Sequence, residues 1–285
     1  MIVDAQYHPE ERVETVDRLL DQMDRHGISR TVLMPALNDP IKIDWIAEKF
    51  SVLGRKWRGL GNYYYKRMVT EDKKFVLLNK SYPIYEKLDN DSVALVMHEY
   101  PDKFNGWIMV NPKIGDPVAE VEKWIGKPGW IGVKIHPYLH RYPVMMADDV
   151  ADYCSENGLP LMVHLGGDQE RGDYRYLPDR YPDLKIVYAH GGVPFWEELW
   201  NYVKGMNNAF IDLSGQYLDG PLRLKAVKAL GAEKCLYGTD GPYGYPDIDG
   251  SYDHGKILNE ILDWPISDGE KERILGGNFI DITGI

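Results

Sequence analysis

Seven residues at or near the ends of short apolar runs are the groups of this chain that could do chemistry together. Gln6 and His8 end MIVDAQYH, Lys134 and His136 end WIGVKIH, His164 ends LPLMVH, His190 ends LKIVYAH, and Asp240 ends CLYGTD. Imidazole nitrogens and carboxylate oxygens are the donors zinc prefers, and three protein ligands plus water make a catalytic site with an open position. Gln6 stands where a histidine would complete a His-x-His pair. A single strand-end histidine is more often a hydrogen-bonded structural group than a ligand. Four of the 8 histidines at such positions are harder to attribute to chance.

These residues need elements that bring them to one place. Eight runs read as strands: MIVDA, RTVLMPA, FNGWIMVNP, WIGVKIHP, LPLMVHLGG, LKIVYAHGG, AFIDLSG and KCLYGTDG. Amphipathic segments lie between them. In ERVETVDRLLDQMDRHG, Val13, Val16, Leu19, Leu20 and Met23 recur at helical spacing and Gly27 fits a C-terminal cap. Alternating strands and helices imply a parallel sheet with right-handed crossovers. Eight strands close a (β/α)8 TIM barrel, and we read residues 1–285 as one such domain, with catalytic groups at the C-terminal ends of its strands. An open doubly wound sheet is the alternative, but DAQYHPEE stands in place of its glycine-rich loop. Period-two alternation puts Asp4, Gln6 and His8 on one side of the first strand, and Lys134 and His136 on one side of the fourth. Residues from about 45 to 100 exceed what one crossover needs. They read as a helical insertion between the second and third strands, a lid or a subunit contact, or aromatic packing against the barrel.

The bulk numbers narrow the partners. The net charge of −11 argues against nucleic acid or an anionic membrane as the main partner. It leaves room for an anionic substrate in a locally basic pocket. Cys154 and Cys235 form no motif, no basic and apolar leader opens the chain, and no apolar run approaches the roughly 18 residues of a membrane span. The expectation is a cytoplasmic protein acting on a small molecule, with a homodimer left open.

In order along the chain, DAQYHP, GVKIHP, VHLGG, AHGG, GTDGPYG and ILGGNFIDITGI resemble the motifs of the amidohydrolase superfamily. The likeness is to its amidohydrolase-related branch, which includes aminocarboxymuconate-semialdehyde decarboxylase-like enzymes. The resemblance implies that His8, His164 and Asp240 are metal ligands and that His190 bonds the metal-bound water or polarises substrate. Asp240 would also take a proton from that water. Gln6 departs from the pattern, at the position of the first ligand histidine. Its amide oxygen can coordinate, but it is neutral and a weaker donor than imidazole. We therefore expect one divalent metal, zinc first and manganese second, held by Gln6, His8, His164 and Asp240, with a metal-free chain as the alternative. In two-metal relatives the strand-four lysine is carboxylated. Here Lys134 is read instead as a substrate-binding cation, with His136, Tyr138, His140 and Arg141 beside it and Tyr243 and Tyr245 at the mouth.

The leading functional expectation is a metal-dependent hydrolase of a small, carboxylate-bearing amide, ester or lactone, with Asp240 and His190 catalytic. The first alternative is a non-oxidative decarboxylase of an aromatic or muconate-like acid. The second is a binding protein that has lost its metal.

Overall fold

The computed structural model describes residues 1–41, 49, 52–54, 56–243 and 252–285. Ten strands are present among them: β1 Ile2–Tyr7, β2 Ile28–Leu33, β3 Lys74–Leu77, β4 Lys80–Pro83, β5 Phe104–Val110, β6 Trp130–Ile135, β7 Leu161–Val163, β8 Ile186–Tyr188, β9 Ala209–Asp212 and β10 Cys235–Leu236. Eight of them form one sheet in the order β1-β2-β5-β6-β7-β8-β9-β10, every pairing parallel. The two edges meet. Ala5 N donates to Tyr237 O at 3.1 Å, Asp240 N to Gln6 O at 3.0 Å, and His8 N to Gly241 O at 2.8 Å. With helices in the crossovers this is a (β/α)8 barrel, as expected.

Closure places both faces of each strand away from water, so the strands read as near-continuous apolar runs. Trp130–Ile135 is buried at every position, Lys134 included. The first crossover helix runs Val16–His26. Thr15 accepts from Arg18 N at its start, and Gly27, at φ 67°, caps its end. Leu19 and Met23 of the expected face are buried, but Val13 is 42% exposed, because the Thr15 cap starts the helix after it.

The segment between β2 and β5 is not all helix. Its described part holds the helix Arg58–Met68, then the antiparallel hairpin β3–β4, then the crossover helix Asn90–Glu99. The hairpin turns through Leu78 and Asn79, with Leu78 at φ 55°. Part of the expected insertion, residues 45–48, 50, 51 and 55, lies outside the described residues. Among the described residues no helix is long and apolar enough to cross a membrane.

Asp4, at the start of this architecture, is structural. It has no exposure and its carboxylate accepts from Thr239 N at 2.8 Å and Thr239 Oγ1 at 2.6 Å, tying β1 to the loop after β10. Burial pushes its pKa from 3.8 up to about 6, against the pull of the Thr239 hydrogen bonds. The folded protein thus holds this proton more tightly than the unfolded chain does. The contribution to stability is complete below about pH 3.8 and is lost as pH rises through about 6, a loss of about 3 kcal/mol at 1.36 kcal/mol per unit. Asp4→Asn keeps an acceptor for Thr239 N and a donor for Thr239 Oγ1, without the titration. Denaturant unfolding of both proteins from pH 3.5 to 7 is expected to show the stability of the variant, relative to wild type, rising by that amount.

Candidate active site

The strands deliver the expected residues to the C-terminal mouth of the barrel. A cavity of about 220 Å³ opens there, and His8, Lys134, His136, Tyr138, His164, His190, Asp240 and Tyr243 all line it. Its other walls are largely apolar and aromatic. Leu60, Tyr64, Tyr65 and Met68 come from the helix Arg58–Met68, Phe75 and Leu77 from β3, and Trp196 and Tyr217 from the last crossovers.

Two of the polar positions rest on unusual backbone. His190 and Asp240 have φ of 53° and 59°, a left-handed conformation uncommon outside glycine. The His190 turn is pinned from below, where its backbone N donates to Asp212 Oδ1 at 3.1 Å. Gly215 sits beside both side chains. A Cβ there would lie 2.9 Å from His190 Nδ1 and 3.1 Å from Asp240 Oδ2, at a φ of 75° that already favours glycine.

The polar floor divides into two groups. In the first, Asp240 lies between two imidazoles, with Oδ1 3.6 Å from His8 Nε2 and Oδ2 3.9 Å from His190 Nε2. His8 Nδ1–H donates to Pro35 O at 2.8 Å, which turns its Nε2 toward the carboxylate. Burial raises the Asp240 pKa, but His190, His8 and Lys134 outweigh it and hold the carboxyl below its usual range.

The second group is a buried chain. Tyr65 OH lies 3.0 Å from His164 Nε2 and donates to Leu165 O at 2.7 Å. His164 Nδ1 is 3.1 Å from His190 Nε2, and His190 Nδ1 is 2.9 Å from Ser214 Oγ. Ser214 Oγ donates to Asp212 Oδ1. Both nitrogens of each imidazole are therefore engaged. Burial holds His164 well below the ordinary imidazole pKa and lowers that of His190 against the pull of Asp240 and Asp212.

Gln6 belongs to this buried chain rather than to the cavity. Its Oε1 accepts from Lys134 Nζ at 2.6 Å, and its Nε2 donates to Asp212 Oδ2 at 3.1 Å and to Ser214 Oγ. Lys134 also points a donor at Met162 Sδ, 3.3 Å away. Burial lowers the Lys134 pKa to about 8, with Asp212 and Asp240 opposing the fall, so it stays a cation near neutral pH. His136 Nδ1 accepts from Leu139 N at 3.1 Å, which puts the proton of the neutral ring on Nε2. Its ring stacks on His164 with centroids 4.1 Å apart.

Not every expected residue arrives. Arg141 Nη1 donates to Val69 O at 2.7 Å, and Arg141 lines a separate depression with Glu71, Lys73, Glu86 and Lys113. The Pro137–His140 helix ends just before it, and Arg141, at φ 52°, turns the chain away from the cavity. His140 lines the same depression, its Nε2 donating to Tyr85 O at 3.1 Å. Tyr245 lies outside the described residues. Asp212, Ser214, Tyr65 and Tyr217 were missed. Asp212 had a signal, since FIDLSG ends a strand in a polar residue just as LYGTD does. Tyr65 had only half of one: the aromatic cluster is plain, but which of Tyr63, Tyr64 and Tyr65 turns inward depends on the helix's docking.

The expected metal set can be tested on these donors. Two atoms, His8 Nε2 and Asp240 Oδ1, have a separation that suits neighbouring ligands at about 2.0–2.2 Å from one ion. The other two expected ligands do not join them. Gln6 Oε1 is taken by an ammonium, and His164 has a partner on each nitrogen. Among the described residues, no three His, Cys, Asp or Glu side chains bring donors together for one ion. The four-ligand set is thus not what these side chains form.

A barrel with a carboxylate, imidazoles and a lysine gathered at its C-terminal mouth defines the class of α/β-barrel enzymes. The amidohydrolase family model matches residues 78–279, and the chain belongs to that family, an enzyme family of the amidohydrolase superfamily. Solved structures share the fold over almost their whole length. A 2,6-dihydroxybenzoate decarboxylase from Rhizobium is 14% identical, with a TM-score of 0.63, covering 99% of this chain and 98% of that one. A 4-oxalomesaconate hydratase from Rhodopseudomonas palustris is 18% identical, with a TM-score of 0.64, covering 100% and 96%. A dihydroxybenzoic acid decarboxylase from Polaromonas sp. JS666, solved with bound manganese and an inhibitor, is 16% identical, with a TM-score of 0.58, covering 99% and 96%.

Proposed function

We propose that the protein is a non-oxidative decarboxylase of an aromatic or similarly flat unsaturated carboxylic acid. The observation that carries this reading is the division of the cavity. Its charged and imidazole groups lie together at the floor, and its walls are mostly tyrosine, tryptophan, phenylalanine and aliphatic side chains, with Asn38, Asn62 and Gln216 among them. Such a pocket takes a planar apolar body with one polar end. The decarboxylases that share the fold act on molecules of that shape, and this supports carbon–carbon cleavage over the hydrolysis expected first.

The chain's own groups suffice for a scheme. The substrate carboxylate binds against Lys134 Nζ and His136 Nε2–H, and the ring lies between the aromatic walls. Asp240 is ionised in the free protein. A second negative charge beside it raises its pKa, so binding an anion draws a proton onto its carboxyl. That proton goes to the ring carbon bearing the carboxylate. The carbon–carbon bond then breaks, its electrons return to the ring, and CO2 leaves. One proton from solvent is consumed per turnover and Asp240 ends ionised. The Tyr65–His164–His190 chain fixes the imidazole beside Asp240. Hydrolysis stands as the second reading on one observation, the ionised Asp240 beside His8, which suits a base for water.

The test is incubation of the purified protein with hydroxybenzoates, carboxyvanillate and muconate-like acids, and separately with aryl esters and lactones. Release of CO2 with the ring product protonated at the vacated carbon is expected. Turnover of esters or lactones alone would overturn the assignment in favour of hydrolysis.

A further inference from the structure

The Gln6–Lys134 pair is a device that the functional scheme uses only in part. A buried lysine amine 2.6 Å from a glutamine oxygen is a fixed cation, and the rest of the amide fixes it further. Gln6 Nε2 faces Asp212 and Ser214. Turning the amide over would set its N–H groups against the ammonium and its oxygen against the Asp212 carboxylate. Only one orientation satisfies all three partners. Of the three donors of Lys134, one goes to Gln6 and one to Met162 Sδ, and the residue lines the cavity. A divalent ion on Gln6 would share its oxygen with this ammonium, two cations on one acceptor in a site where water cannot separate them.

We infer that the Lys134 ammonium, clamped by Gln6 beneath His136, supplies the positive charge for the substrate carboxylate, so that this chain binds its substrate without a metal ion. The inference rests on the carboxylate-substrate reading above. It explains why glutamine is the residue at position 6: its oxygen can accept from an ammonium while its nitrogen donates to both Asp212 and Ser214. An imidazole there could serve only one partner with each nitrogen.

Equilibrium dialysis against micromolar Zn²⁺ or Mn²⁺, followed by elemental analysis, tests the first half. Wild type is expected to retain under a tenth of an equivalent. The Gln6→His/Lys134→Met double variant, which frees the position of the ammonium, is expected to retain several-fold more. Calorimetric titration with benzoate tests the second half. Binding to wild type should be the same with and without EDTA, and Lys134→Met should weaken it at least tenfold. Retention of a full equivalent of metal by wild type overturns the inference, as does loss of benzoate binding in EDTA or a wild type that binds no benzoate. These wild-type measurements need no variant to fold. If benzoate binds as expected but no acid releases CO2, the decarboxylase reading fails and the metal-free anion site stands.

Discussion

Asp240→Asn is expected to lower the turnover number by about 10²- to 10⁴-fold, the usual contribution of a positioned acid–base group. Asparagine matches aspartate in shape and tolerates the left-handed region nearly as well, so the φ of 59° at this position is kept. What is lost is the ability to take up a proton and deliver it to the ring carbon. KM for an anionic substrate should hold or fall, because a negative charge has left the cavity. The separation of effects is the useful readout: turnover collapses, while benzoate affinity and the melting temperature do not. Steady-state kinetics on whichever acid releases CO2 would measure it. A variant keeping more than a tenth of wild-type turnover would remove Asp240 from the proton transfer.

Arg223→Ala is expected to cost about 3–5 kcal/mol of stability, the range for removing one partner of a buried ion pair. Arg223 has no exposure. Its guanidinium donates to Leu213 O, Gly215 O and Glu260 Oε2, each at 2.7 Å. Alanine leaves two carbonyls without this donor and a partly buried carboxylate whose remaining cation among the described residues is the Lys256 amine, 3.1 Å away. The loop it holds contains Ser214, Gly215 and Tyr217, so this one residue anchors both the polar floor and one aromatic wall. Urea unfolding should report the loss, and Arg223→Lys, which restores the charge on one donor nitrogen in place of three, should recover a minority of it. An unchanged unfolding midpoint in the alanine variant would show that the loop holds itself.

The two substitutions differ in how far the sequence announced them. Asp240 could be found at the end of an apolar run, among other polar strand ends, because a parallel barrel sends the C-terminal end of every strand to one mouth. Alternation then placed Lys134 and His136 together. Arg223 lies inside LRLKAVKAL, where an arginine reads as one more charge on a helix surface. Its burial is a property of the packed molecule.

Strand order, closure and the meeting of His8, Lys134, His136, His164, His190 and Asp240 follow from patterns local to each strand, and these were legible in the sequence. The partner of each polar atom is not a local property. It depends on distances across the barrel, such as that from Gln6 to Lys134, 128 residues apart, and to Asp212, 206 residues apart. The sequence marked Gln6 as a departure and suggested a weakened ligand. Only the tertiary structure set an ammonium against its oxygen and a carboxylate against its nitrogen. Arg141 shows the same limit from the other side, since one left-handed residue at the end of a four-residue helix took it away from the cavity.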